Sequence, residues 1–421
     1  ELQHSLSWIP AIGASLSFSA GAAGAILVLM TALIFPLIFI AQWKRALDNP
    51  SRFFGLMLLS QAGLMGVFLA HDLLLFYFFW ELALIPVYFL CSLWGGEKRI
   101  KVTFKFFIYT FLGSLIMLAA IIWLYVQTPT RSFDYGTILQ TGQSLSFGMQ
   151  QIFFCMLFIA FAIKMPIFPF HTWQPDTYEQ SATPVTIVLS AIMVKMGLFA
   201  AYKWLVPILP EGTAYWSNIV MILSVTGIIY ASLLAMVQSD LKRIIAYSSI
   251  AHVGLMSMGL FADTAIATQG FIFQMFNHGI TITGMWLIVS MIEDRYQTRD
   301  LKALGGMAGA APTIAIALVI MAFASIGLPL TNGFIGEFML FLGIFQSANP
   351  NHIIFMVIAG LGIILGAIYT LNMVQKVAYG TAKSTMKIEK IQPGELFCLV
   401  MIILIIIVLG VYPKLLLGLV G

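Results

Sequence analysis

The sequence predicts an all-α, polytopic membrane protein, and two observations support this fold class. Of its 421 residues, 60% are hydrophobic and only 9% are charged, whereas an ordinary soluble domain has about 25% charged residues. The apolar residues are also gathered into runs of about 20, the length that an α-helix needs to cross a bilayer. A net charge of +4 is too small and too dispersed to favour a nucleic acid as a partner. The lipid bilayer is the expected surrounding.

Twelve apolar runs are long enough to be membrane-spanning helices. The first, at 22–42, is too long for the apolar part of a signal peptide and is followed by Lys44 and Arg45, so it is predicted to be a true span. The others lie near 53–70, 73–94, 105–126, 150–174, 183–205, 215–237, 243–261, 269–292, 311–346, 353–377 and 394–417.

One of these spans contains a charge beside two helix breakers. Lys164 lies within the apolar stretch Gln151–Phe170 and is followed by Pro166 and Pro169. A charge at mid-bilayer costs roughly 2.5 to 3.5 kcal/mol on insertion scales, and a broken backbone is tolerated there only inside protein or beside a water-filled cavity. This combination predicts ion movement through the chain.

A second span is interrupted in a similar way. The run 311–346 could hold more than one helix, but Gly327, Pro329 and Gly333 break it. It is therefore predicted to cross once, as two half-helices.

The loops indicate the orientation, because cytoplasmic loops collect Lys and Arg. Sixteen of the 21 basic residues fall in the odd-numbered loops. Only Arg131, Lys203 and Lys414 lie on the opposite side, and Lys164 and Lys195 lie inside spans. Both termini are therefore expected on the non-cytoplasmic side.

Six ionisable residues remain inside the predicted spans and are the candidate site. They are Glu81, Lys164, Lys195, His252, His278 and Glu337. Each has a structural alternative: a carboxylate can neutralise a nearby lysine, and a neutral imidazole can be a core residue with a satisfied hydrogen bond. As a group they favour a proton path, because intramembrane ionisable residues mark ion pathways.

The order of these residues predicts an internal duplication. Nearly equal intervals run from Glu81 to Lys164 and from His252 to Glu337, each from an unbroken span to an interrupted one. We therefore predict two five-helix units, each a proton half-channel, with the second inverted because five is odd. The chain is therefore predicted to have four parts: an N-terminal segment with the first span at 1–52, the first repeat at 53–205, the second repeat at 215–377 and a C-terminal span at 378–421.

Several motifs resemble the antiporter-like subunit M (mitochondrial subunit 4) of respiratory complex I, an NADH-quinone oxidoreductase. They cover almost the whole chain and are His71-Asp72-Leu73, Phe78-Phe79-Trp80-Glu81, Ile85-Pro86-Val87-Tyr88-Phe89, Lys105-Phe106-Phe107-Ile108-Tyr109-Thr110, Phe161-Ala162-Ile163-Lys164-Met165-Pro166, His171-Thr172-Trp173-Gln174-Pro175-Asp176, Asp240-Leu241-Lys242-Arg243 and Gly333-Phe334-Ile335-Gly336-Glu337-Phe338. The resemblance implies about fourteen helices in two inverted repeats, of which about two N-terminal helices are expected to lie outside this chain.

The resemblance also implies roles for the six residues. Glu81 matches the carboxylate at a subunit interface, Lys164 the lysine at the first break and Lys195 the lysine on the next helix. His252 and His278 match histidines of the central hydrophilic axis, and Glu337 matches the acidic residue at the second break. The sequence departs from the family in two places: Gly21 to Gly24 lack the usual Asp, and Tyr178 or its neighbours replace the usual His.

A proton relay also follows from the chemistry of these groups. Burial disfavours the charged form of a lysine and a nearby carboxylate favours it, so a changing Glu81–Lys164 pair is expected to act as the gate. The chain shows no haem, flavin, nicotinamide, iron–sulfur or metal motif. As the resemblance implies, it is a non-redox subunit in the inner (cytoplasmic) membrane, and NADH, FMN, iron–sulfur clusters and quinone belong to partner subunits. Its partners are then neighbouring antiporter-like and other membrane subunits.

Three other functions stay open at this level. A subunit of a multisubunit sodium/proton antiporter is expected to share the fold. A secondary transporter of a neutral solute would also use broken helices. A passive scaffold would use the buried charges to lock the assembly.

Overall fold

The computed structural model describes residues 2–43, 47–381 and 390–420, and this part of the chain is mainly helical. It begins with a two-stranded hairpin, β1 (Leu2–Ile9) and β2 (Ala14–Ala20). The helices are α1 (Ala22–Gln42), α2 (Pro50–Leu69), α3 (Leu73–Leu93), α4 (Arg99–Gln127), α5 (Tyr135–Ser144), α6 (Phe147–Lys164), α7 (Trp173–Gln180), α8 (Thr183–Leu205), α9 (Pro210–Val237), α10 (Leu241–Leu260), α11 (Ala265–Tyr296), α12 (Pro312–Ser325), α13 (Asn332–Phe345), α14 (His352–Tyr379) and α15 (Pro393–Val411). Single turns lie at Pro10–Ile12, Met307–Ala310 and Lys414–Leu417.

The helix lengths confirm the predicted fold class. Within the described residues, 10 helices are long and apolar enough to cross a membrane. α10 has the length but carries several polar residues, and the shorter apolar helices α12 and α13 follow each other as one interrupted crossing. Together these account for the twelve predicted spans.

The N-terminal hairpin is a feature that the sequence analysis did not predict. Its second strand alternates apolar residues with serine, a period of two that is typical of a β-strand. Gly13 closes the turn with φ 66°, a conformation that glycine adopts without strain. The buried Asp72 carboxylate, which caps α3, also accepts hydrogen bonds from the backbone N–H (2.9 Å) and hydroxyl (3.2 Å) of Ser15. This joins the hairpin to the start of α3.

Both predicted helix breaks are present. α6 ends at Lys164 and helix resumes at Trp173, as expected where two prolines remove backbone donors. The second break covers residues 326–331, so Gly333 lies inside the first turn of α13 and not in the break itself. Gly327 and Leu330 in this second break have positive φ, 68° and 77°.

Three helices lie at the centre of the molecule. In the most apolar 18 residues of α11 every residue is buried, and in the corresponding part of α8, 94% of the residues are buried. α10 is also buried along nearly its whole length. The other long helices keep one exposed apolar face, as expected for helices in contact with lipid. α8 is wound as a π-helix at Val188–Met193 in its interior and again at its C-terminal end, Ala201–Leu205. Such wide turns often occur at functional sites.

Candidate functional site

Lys195 and His278 form the centre of the candidate site. Lys195 is 0% exposed and follows the first π segment of α8, and His278 is 5% exposed on α11. The Lys195 Nζ lies 2.7 Å from His278 Nδ1 and donates to the backbone oxygen of Ser190 at 3.0 Å. When Lys195 is charged, His278 Nδ1 must be the acceptor, so the imidazole is neutral with its proton on Nε2. The pair can then exchange a proton directly.

His252 extends this contact to Glu337. The imidazole rings of His252 and His278 are 5.5 Å apart, centroid to centroid. On its other side, His252 Nδ1 lies 3.4 Å from Glu337 Oε1. Four of the six predicted residues therefore form one chain, although they come from α8, α11, α10 and α13.

Two small cavities lie beside this row of four residues. One, of about 20 Å³, is bounded by both histidines and by the polar side chains of Gln274, Asn277 and Thr281. The other, of about 40 Å³, lies between His252, Glu337 and α14. A water molecule needs about 10–15 Å³ of such space and two or more polar partners. Each cavity is large enough for a water molecule, which would lie between the two histidine rings in the first cavity and beside His252 and Glu337 in the second.

Glu337 is positioned by the second helix break. It lies in the second turn of α13, beyond the first turn, where the helix dipole acts most strongly. The dipole is therefore a weak influence on Glu337, and the nearby His252 is its specific partner. The break also approaches the carboxylate: a Cβ atom at Gly327 would lie 2.6 Å from Glu337 Oε2.

Lys164 and Glu81 form a second, separate cluster. Lys164 is 2% exposed, and its Nζ lies 5.6 Å from the centroid of the Trp80 ring and 5.9 Å from that of Phe106. It makes no hydrogen bond with the residues that the structure describes. The Glu81 carboxylate is near enough to attract it electrostatically. The direct ion pair expected between them is not formed in this structure, and aromatic faces provide the close contacts of the ammonium instead.

The two clusters meet where α8 packs against the first break. A Cβ atom at Gly197, two residues after Lys195, would lie 2.8 Å from the Phe161 oxygen and 2.7 Å from the Met165 nitrogen. α8 therefore packs directly on the end of α6 that carries Lys164. In the described part of the chain, no hydrogen bond joins the two lysines.

Several buried polar groups near the relay were missed from the sequence. Asn277 and Asn332 hydrogen bond to each other between α11 and α13. Tyr369 on α14 donates to Ser248 at 2.9 Å and lines the cavity that contains Glu337. These residues could have been recognised in the sequence as amide or hydroxyl side chains within an apolar run. Such a side chain is a weaker indication of a site than a charged residue is. The Ser190 oxygen offered no signal, because its role depends on the winding of α8.

An ionic network closes one end of the helix bundle. Arg243 at the start of α10 contacts Asp176 (3.2 Å) and Glu179 (2.7 Å), both on α7. Arg299, in the loop after α11, contacts Glu179 as well as Asp240, the cap of α10. Burial alone would lower the pKa of Arg299, but the neighbouring carboxylates outweigh this and raise it, so the guanidinium stays charged. The network fastens the half-helix α7 to α10, which carries His252.

Comparisons with known proteins agree with this architecture. The transmembrane family described as NADH:quinone oxidoreductase/Mrp antiporter matches residues 70–366. The NADH-quinone oxidoreductase subunit M of Rickettsia typhi is 40% identical over 359 residues, which are 85% of this chain and 72% of that protein.

Solved structures give the same result. A chain of respiratory complex I from Thermus thermophilus with bound NADH superposes with a TM-score of 0.89 and 27% identity, over 100% of this chain and 89% of that one. A chain of the Mrp complex from Dietzia sp. DQ12-45-1b superposes with a TM-score of 0.90 over 100% of this chain and 46% of that one, at 21% identity, so it shows the shared fold alone. The sequence match and the fold together place this chain in the family of NADH-quinone oxidoreductase M subunits.

Proposed function

We propose that this chain translocates protons as the M subunit of an NADH-quinone oxidoreductase, through the four-residue chain Lys195–His278–His252–Glu337. The observation that carries the proposal is the direct contact between Lys195 and His278, at 2.7 Å between two buried titratable groups. A proton moves readily only between groups in hydrogen-bond contact or joined by one water. The other two links are longer, and in this proposal a water molecule in each cavity completes them.

The proton steps follow from the donor and acceptor atoms. Charged Lys195 gives its proton to Nδ1 of His278, which releases its Nε2 proton toward His252. His252 in turn passes a proton to the Glu337 carboxylate, 3.4 Å away. At each step the donor loses one proton and the acceptor gains one. The relay is reset when Lys195 is protonated again, Glu337 releases its proton and each imidazole returns to its starting tautomer, which for His278 has the proton on Nε2.

Glu81 and Lys164 control the other half of the site in this proposal. The aromatic faces of Trp80 and Phe106 stabilise the Lys164 ammonium without giving it a fixed hydrogen-bond partner. The charge on Lys164 therefore depends on the approach of the Glu81 carboxylate. A change in their separation would change the field at Lys195 on the adjacent helix.

We further propose the two inverted repeats, 53–205 and 215–377, as the two half-channels. The element order supports this: α2, α3, α4, the broken pair α6–α7 and α8 correspond to α9, α10, α11, the broken pair α12–α13 and α14. Neighbours also correspond, because α2 packs on α3 as α9 packs on α10. The bacterial M-subunit relatives support an inner-membrane location, and the uneven loop charge supports an orientation with both termini on the non-cytoplasmic side.

The energy for transport comes from partner subunits in this proposal. NADH, FMN, iron–sulfur clusters and quinone are placed there, and this chain contributes the proton path and contacts with neighbouring membrane subunits. The relatives named NADH-quinone oxidoreductase support this division of labour.

The test is NADH-driven proton uptake into inside-out membrane vesicles that contain the assembled complex. Lys195→Met should lower uptake per assembled complex by about a hundredfold or more, since losing a proton-transfer group costs roughly 10²–10⁴. Lys203→Met is the matched control, because Lys203 lies on the same helix but outside the relay and should leave uptake near normal. Normal uptake by Lys195→Met would refute the relay.

The alternative is a cation/proton antiporter subunit, which the shared fold with the Mrp chain favours. The two functions differ in their ion. Uptake that persists unchanged in sodium-free buffer supports the complex I function, whereas uptake that requires sodium supports the antiporter.

A further inference from the structure

A pair of buried asparagines connects the two helices that carry His278 and Glu337. Asn277 Nδ2 donates to the backbone oxygen of Asn332 at 2.8 Å, and Asn332 Nδ2 donates to Asn277 Oδ1 at 3.1 Å. Both residues are essentially inaccessible, at 1% and 0% exposure. We name this pair of hydrogen bonds the asparagine clasp.

The clasp lies next to the relay on both helices. Asn277 directly precedes His278 on α11, and Asn332 is the first residue of α13, one to two turns before Glu337. His252, from a third helix, contacts both His278 on α11 and Glu337 on α13. It can keep both contacts only while the spacing between α11 and α13 is unchanged. A shift of α13 along α11 would therefore separate His252 from one of its two partners.

The rest of the α11–α13 contact is anchored mainly toward the other end of α13. There the hydroxyl of Thr264, the cap of α11, donates to the Gly343 oxygen at 3.0 Å. Small residues make the contact close: a Cβ atom at Gly336 would lie 2.0 Å from Gln274 Oε1, and one at Gly343 would lie 2.4 Å from the Ala267 Cβ. Such surfaces let backbones approach each other. Hydrogen bonds are directional, and the clasp supplies two of them at the very start of α13.

The break before α13 makes this anchoring more important. Thr331 precedes α13 without a side-chain capping bond, and residues 326–331 are irregular. The start of α13 is therefore not fixed by a continuous helix. The Asn277 amide binds the backbone of Asn332 at this point.

We propose that Asn277 and Asn332 are positioning residues, which hold α13 in the place where Glu337 meets His252. This inference rests on the proposed function of the relay. The two asparagines do not carry the proton. They set the distance across which it moves.

The two hydrogen bonds predict an order of effects among the variants. Asn277→Ala removes both bonds, because its amide is donor in one and acceptor in the other. Asn332→Ala removes only one, since the other ends on the backbone. Proton uptake per assembled complex should therefore fall roughly ten- to hundredfold in Asn277→Ala, as for a misplaced reacting group, and by less in Asn332→Ala. The double variant should match Asn277→Ala.

The experiment measures NADH-driven proton uptake in vesicles, the amount of assembled complex and the pH dependence of uptake. Thr283→Val is the control, because Thr283 is buried on α11 but bonds only to its own helix, at 2.7 Å to the Gly279 oxygen. It should leave uptake and its pH dependence unchanged. In the clasp variants, the pH dependence should change, because the contact between His252 and Glu337 would be lost.

Two results would overturn the proposal. One is normal uptake with a normal pH dependence in Asn277→Ala, and the other is a loss explained entirely by a smaller amount of assembled complex. Lys195→Met in the same series separates this failure from that of the relay. If Lys195→Met is inactive and Asn277→Ala is normal, the clasp role is wrong and the relay stands; if Lys195→Met is active, the relay itself is wrong.

Discussion

Gly327→Ala should displace the Glu337 carboxylate while leaving the fold in place. The new Cβ atom would lie 2.6 Å from Glu337 Oε2, whereas an ordinary contact is 3.4 Å or more, so the carboxylate must move by about 0.8 Å. The obstacle is the end of a flexible side chain and not backbone, and the chain can yield there. A left-handed conformation adds a strain of roughly 1–2 kcal/mol for alanine at φ 68°. The steric displacement of the carboxylate and the backbone strain both arise at the second helix break.

The expected result is a loss of transport with retained assembly. The His252–Glu337 contact is already 3.4 Å, so a further displacement of this size breaks it. A misplacement of about 1 Å can cost roughly a hundredfold in rate. The assay is NADH-driven proton uptake per assembled complex, measured with a pH-sensitive dye in inside-out vesicles.

Gly360→Ala provides the matched control. Gly360 lies on α14, where a Cβ atom would meet nothing within 4 Å, and alanine there should not lower transport. If Gly327→Ala transports protons as the unsubstituted complex does, then the position of the Glu337 carboxylate does not limit transport and the reasoning is wrong.

Three further predictions concern the other parts of the molecule. Trp80→Leu should weaken the stabilisation of the Lys164 ammonium by about 2 kcal/mol and reduce proton uptake without loss of assembly; unchanged uptake would contradict the aromatic role. Arg299→Gln leaves carboxylates such as Asp240 without their cation and should cost about 1–3 kcal/mol, seen as a lower melting temperature in detergent; an unchanged melting temperature would show that the ionic network is not stabilising. Asp72→Ala should cost about 1–2 kcal/mol and make the N-terminal hairpin more sensitive to protease, with an unaltered digestion pattern as the contrary result.

The sequence was a good guide wherever a residue was out of place in lipid. Pro166 and Pro169 marked the first helix break, and Gly327 marked the second, because neither residue type continues a helix without loss. The charged and imidazole side chains stood out for the same reason, since an unpaired charge in hydrocarbon is unfavourable. The N-terminal hairpin left a weaker trace in the sequence, because its alternating pattern covers only a short segment before the first span.

Contacts between the helices were beyond the reach of sequence patterns. In a soluble protein, the apolar stripe of a helix shows which face is buried. A membrane helix is apolar on the side that meets lipid as well as on the side that meets protein, so its rotation leaves little trace in the sequence. The expected Glu81–Lys164 ion pair illustrates the result: both residues are near each other, but the Lys164 ammonium faces the rings of Trp80 and Phe106.

The amino-acid sequence by itself determined the helices, their two interruptions and the titratable groups buried among them, because the exclusion of water by lipid restricts what can lie in each span. Only the tertiary structure decided that Lys195, His278, His252 and Glu337 touch in that order and that Asn277 and Asn332 fasten two of their helices. These contacts depend on the rotation and axial position of packed helices. Those quantities are set by close packing and by hydrogen bonds between residues far apart in the chain.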